Sequence, residues 1–135
     1  MSTRSLVAAL AGGVTLFILG GLFYVLLLPG FFETAVAKDP PAFLFIVLGE
    51  IVWGLLLAWV FSNAGVCTMA AGAKAGAVFG LLVALATGLI MYGATTVADL
   101  TYYLGDVVVF AIRYAAAGAV IGWMLEREAP AARAG

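Results

Sequence analysis

Histidine is absent from this chain, and cysteine occurs once, at Cys67. The first absence removes the usual haem ligand and the commonest general base. The second rules out an internal disulfide and any multi-cysteine metal centre. Charge is scarce as well: six Lys and Arg and seven Asp and Glu make up 10% of 135 residues, where a soluble domain carries about 25%. No basic cluster, phosphate loop or nucleophile–base set stands in the sequence. Nucleic-acid binding therefore has no support, no cofactor or metal is implied, and an enzyme is not expected.

Apolar residues take the place that charge leaves, at 66% of the chain. No soluble core of this size could hide so much apolar surface. Crossing the hydrocarbon of a bilayer takes about 20 apolar residues as a helix. Four segments qualify: Leu6–Leu28, Ala42–Phe61, Ala73–Thr95 and Leu104–Leu125. The gaps between them are too short for a soluble domain. The expected fold is all-α, a single integral membrane domain built as a four-transmembrane-helix bundle.

Lys and Arg placement sets the expected orientation. With four spans, both termini and the loop between spans 2 and 3 share one side, which holds Arg4, Lys74, Arg127 and Arg133. The other side holds Lys38 alone, with Glu33, Asp39 and Asp99. This imbalance predicts both termini in the cytoplasm, in the cytoplasmic membrane of a bacterium. Trp59 and Trp123 then belong to the inner aromatic belt and Tyr102 and Tyr103 to the outer one. Arg4, an apolar run and Ala35-Val36-Ala37 superficially resemble a secretory signal. That apolar run is longer than the roughly 7–15 residues of a signal core, so span 1 is expected to be retained.

The span limits have local causes. Span 1 should stop at Pro29-Gly30. Asp39-Pro40-Pro41 offers a capping acceptor and then prolines at the start of span 2. Ser62-Asn63-Ala64-Gly65 suits a left-handed turn at its end. Thr96 and Asp99 have the spacing of a weak capping box, so span 4 begins near Asp99 or follows a short interfacial turn. The tail from Glu126 through Pro130 reads as a solvated helix end and a flexible terminus.

Span 3 carries the clearest packing signal. Gly72, Gly76, Gly80, Ala84 and Gly88 recur at every fourth residue, a glycine-zipper pattern. Glycine costs a helix about 1 kcal/mol relative to alanine, so a repeated run implies close approach by another backbone. Span 4 offers a second small face through Ala111, Ala115, Gly118 and Gly122, and Ala9 and Gly13 begin one on span 1. These strips either pack the bundle internally or seat a partner. A faint likeness between Leu56–Phe61 and Val120–Leu125 suggests two tandem helical hairpins, as in parallel-repeat transporters.

Glu50 and Arg113 each sit near the middle of a span. A lone ionised side chain at the bilayer centre costs about 2.5–3.5 kcal/mol on insertion scales, so each needs a partner. At 1.5 Å per residue both lie roughly 12–14 Å below the outer span ends. Trp53 shares the Glu50 face, and Phe110 and Asp106 share the Arg113 stripe. A planar guanidinium can hold two carboxylates, so an Asp106–Arg113–Glu50 triad is expected. It serves either as a clasp between spans 2 and 4 or as an ion, proton or substrate site. Thr15, Thr87, Thr95 and Thr96 should bond to their own helix backbones. Tyr24 and Tyr92 read as packing residues near an interface, or as donors into a cavity.

Two functions follow from this pattern. The first is a non-catalytic packing or accessory subunit of a membrane complex or homo-oligomer, with the lipid bilayer and other membrane subunits, or copies of itself, as partners. The second is an oligomeric channel or ion-coupled secondary transporter using Glu50 at a midplane site.

Overall fold

The computed structural model describes residues 1–34, 37, 38 and 40–127. They form four long helices and, among the described residues, no strand. Helix α1 spans Thr3–Gly20 and runs on as a π-helical segment, Gly21–Leu27; α2 spans Phe43–Ala64, α3 Met69–Ala94 and α4 Leu100–Glu126. All four are long and apolar enough to cross a membrane.

Capping explains most of the boundaries. Ser2 accepts from the Ser5 amide at the start of α1, and Thr68 from Ala71 at the start of α3. Asp99 accepts from Tyr102 and opens α4 at Leu100, four residues before the expected start of span 4. Gly65, with φ 69°, closes α2 in the left-handed turn its sequence suggests. The expected start of α2 is corrected: the helix begins at Phe43 with Ala42 at its N-cap and no side-chain cap. Asp39 lies outside the described residues, as do Ala35, Val36 and the tail from Glu128. Thr15, Thr87 and Thr95 return their hydroxyls to backbone carbonyls four residues earlier, each at 2.8 Å.

Chain neighbours pair into hairpins. Helix α1 packs on α2, α3 packs on α4, and the hairpins meet mainly through α1 and α4. In lipid the hydrophobic effect does not drive helices together, so association rests on close packing and polar contacts. Glycine supplies the close packing. The buried residues of α3 are Gly72, Gly76, Gly80, Ala84 and Gly88, and no others. A Cβ at Gly72 would overlap the Gly118 carbonyl, and one at Gly76 the Tyr114 carbonyl. At Gly80 it would stand 2.6 Å from the Phe110 carbonyl oxygen. Gly118 and Gly122 answer from α4, against Gly72 and Thr68. Large α3 residues such as Val78, Leu82 and Ile90 point outward and are exposed.

Gly13 and Gly54 do the same for the first hairpin. A Cβ at Gly13 would lie 2.9 Å from the Glu50 carbonyl, and one at Gly54 would overlap the Ala9 carbonyl. The core collects Leu16, Leu57, Phe61, Tyr114, Ile121 and Leu125. The backbones of α2 and α3 stay apart, and Trp53 and Phe79 bridge them, ring centroids 6.2 Å apart. Packing is uneven along the bundle. It is dense toward the chain termini, whereas the π segment buries nothing and α2 buries nothing before Gly54.

Candidate functional site

Glu50 stands where α2 leaves the dense half of the bundle, and Arg113 lies across from it on α4. The guanidinium Nη2 donates to Glu50 Oε1 and, at 2.8 Å, to the Leu16 carbonyl of α1. Arg113 is 3% exposed. Its charge therefore ties α4 to both helices of the first hairpin, both bonds coming from the one nitrogen Nη2. Room for it comes from Gly20, where a Cβ would sit 3.0 Å from Nη2. The faces of Tyr24 and Phe110 wall the guanidinium, each centroid 5.4 Å from Cζ, a favourable placement of cation over ring. Arg113 Nε is buried without a hydrogen-bond partner.

The expected triad does not form. Asp106 takes the phenol of Tyr24 as its donor, and Arg113–Glu50 is the one ion pair among the described residues. The reason is direction. Asp106 is about two helical turns from Arg113 along α4, and the arginine turns sideways into the space beside Gly20 instead of reaching along its own helix. Tyr24 fills the gap. It hangs from the π segment, with its ring beside the guanidinium and its hydroxyl on Asp106. Such segments are rare and recur at functional sites. Phe32 packs edge-on to Tyr24 at 4.7 Å and to Tyr102 at 5.2 Å. Phe31 lies over Gly105, where a Cβ would not fit. The turn after α1 thus folds back as an aromatic cover over the start of α4.

Trp53 packs edge-on against Phe79 and Tyr114. Tyr114 stacks on Phe110 with centroids 5.4 Å apart, and its buried hydroxyl has no partner. Sequence reasoning missed Tyr24, Tyr114 and the Leu16 carbonyl as members of this cluster. Tyr114 follows Arg113 directly and offered a weak signal. Tyr24 follows Gly20 by four residues, so ordinary helical spacing already sets it on the face where Gly20 meets Arg113.

Beside the cluster, α1 and α2 diverge and leave a cleft of about 170 Å³ lined by Phe17, Gly20, Tyr24, Phe43, Ile46 and Glu50, among others. Glu50 is its only charged lining residue, and the Glu50 side chain keeps 16% of its surface exposed. Two carboxylates and one guanidinium make up the cluster, so it holds one acid more than base. Among the described residues no group of His, Cys, Asp and Glu could hold a metal ion. Set against protein-family models, curated proteins and solved structures, the chain matches none. Its chemistry has to be read from its own residues.

Proposed function

We propose that this chain is a non-catalytic integral membrane protein that serves as a packing or accessory subunit, in a larger membrane complex or in a homo-oligomer. The reading places it in a bacterial cytoplasmic membrane with both termini cytoplasmic, following the basic residues at the span ends. One observation carries it: the intramembrane polar groups are used to join the chain's own helices. Arg113 is closed off by Glu50 and the Leu16 carbonyl, and Asp106 by Tyr24. The small-residue strips are likewise filled from within, by α3 on α4 and α1 on α2. Apolar side chains are exposed on every helix, and the reading assigns the partner surface to the first half of α2, where Phe43, Leu44, Phe45 and Val52 are exposed and nothing before Gly54 is buried. Extraction in a mild detergent tests this. A stoichiometric larger assembly, lost on Phe45→Lys, is the expected result. A lone monomer that stays folded in lipid, with nothing extracted beside it, would overturn the reading.

A second reading draws support from the cleft beside Glu50. The surplus carboxylate of the cluster would be balanced by one proton or one monovalent cation, which fits ion-coupled transport through a dimer. Glu50→Gln keeps the side-chain shape and removes its charge. Under this reading, it should preserve folding and abolish ion flux in proteoliposomes; unchanged flux, or none in the parent protein, removes the transporter.

A further inference from the structure

At the end of the bundle where α1 begins and α4 ends, two arginines share one cleft. Arg4 lies in the first turn of α1, and its Nη1 donates to the Arg127 carbonyl at 3.0 Å. Arg127 lays its guanidinium on the Trp123 ring, Cζ 4.0 Å from the centroid. Both side chains line a cavity of about 310 Å³, together with Thr3, Val7, Trp123 and Met124. Among the described residues neither arginine forms an ion pair. Glu126, next to Arg127 in sequence, does not line the cavity.

Two like charges held at one mouth repel each other unless an anion sits between them. Among the described residues most of their N–H donors are uncommitted, and a guanidinium fork suits a phosphate oxygen pair. The walls then change character: below the arginines come Val7, Met124 and the Trp123 ring, with Val7 and Trp123 exposed to the surroundings. A free phosphate would use only the mouth. A molecule with an anionic head and an apolar body uses both. Basic pockets between membrane helices hold anionic lipid headgroups by this combination. Trp123 stands where an indole marks the membrane–water boundary.

We infer that the Arg4–Arg127–Trp123 cleft binds the phosphate of one anionic phospholipid, with its glyceride and upper acyl chain against Val7 and Met124. The inference stands on the ends of α1 and α4 and does not depend on the role of Glu50. The full chain, purified in a neutral detergent, is offered phosphatidylglycerol or phosphatidylcholine, and retained lipid is measured by native mass spectrometry. Phosphatidylglycerol should be retained at one per chain in preference to phosphatidylcholine. Arg4→Gln with Arg127→Gln should lower its retention by roughly tenfold or more, while Lys38→Gln at the opposite end leaves it unchanged. Arg4→Lys with Arg127→Lys, which keeps the charge but loses the fork, should retain lipid at a level between the parent and the glutamine pair. Equal retention of the two lipids, or full retention by the glutamine pair, would overturn the assignment. So would displacement of the bound phosphatidylglycerol by millimolar inorganic phosphate, which would make the site a bare anion site.

Discussion

Replacing the charged partners one at a time and then together reports directly on the clasp. Arg113 and Glu50 differ in how far each is sealed, at 4% and 16% side-chain exposure. Removing one partner of a buried pair costs about 3–5 kcal/mol, because the survivor keeps its desolvation without its compensation. Glu50→Leu strands the guanidinium in the sealed position. It retains the Leu16 carbonyl and the faces of Tyr24 and Phe110, none of which carries a full negative charge. That change should cost the full amount, about 3–5 kcal/mol. Arg113→Leu strands Glu50, whose carboxyl borders the cleft between α1 and α2 and can be reached by a proton or water. That loss should be smaller, about 1–3 kcal/mol. The double change leaves no stranded charge and loses the pair with its hydrogen bond to α1, so its cost should be about 2–4 kcal/mol less than the sum of the singles. Equilibrium unfolding of all four proteins in the same detergent measures the cycle. Additive single changes, within about 0.5 kcal/mol, would refute the claim that these charges hold the bundle together. A milder effect for Glu50→Leu than for Arg113→Leu would refute the part that rests on exposure.

Backbone contact makes a second prediction. Gly76→Ala forces α3 away from the Tyr114 carbonyl and should destabilise by about 1–3 kcal/mol, and Gly80→Leu should do worse, while Leu82→Ala on the exposed face changes little. Gly49 and Gly93 have nothing within 4 Å of an added Cβ, so Gly49→Ala should stabilise α2 by up to about 1 kcal/mol; a loss there would mean an unseen neighbour. Tyr24→Phe leaves Asp106 without its donor and should cost about 1–3 kcal/mol, read as a lowered melting temperature, and an unchanged melting point would show that the π segment's phenol is dispensable. For topology, Lys38→Cys and Lys74→Cys in a Cys67→Ser background should label from outside intact cells at position 38 alone. Labelling at 74 and not at 38 would invert the assignment.

Amino-acid composition and periodicity determined a good deal by themselves. Four helices follow from four apolar stretches, since a segment of that length in lipid has to satisfy its backbone internally. The α3 strip was legible because glycine at every fourth residue is costly unless another backbone lies against it, and the partner backbone is α4. Glu50 and Arg113 were legible as a pair because an unpaired charge at that depth is too expensive to keep. Asp99 and Gly65 marked their helix ends through local chemistry that reaches no further than a turn.

Tertiary structure alone decided who answers each polar group. Arg113 has several torsions and many donors, so its sequence position limits its reach but not its direction. The space beside Gly20 and the carbonyl of Leu16, distant in sequence, settle that direction. Asp106 therefore goes to Tyr24 and not to Arg113, because Tyr24, one turn beyond Gly20, reaches it from the π segment. The same holds for the arginines at the termini. Arg4 and Arg127 stand more than a hundred residues apart in the chain, and only the antiparallel meeting of α1 and α4 brings them to one cleft.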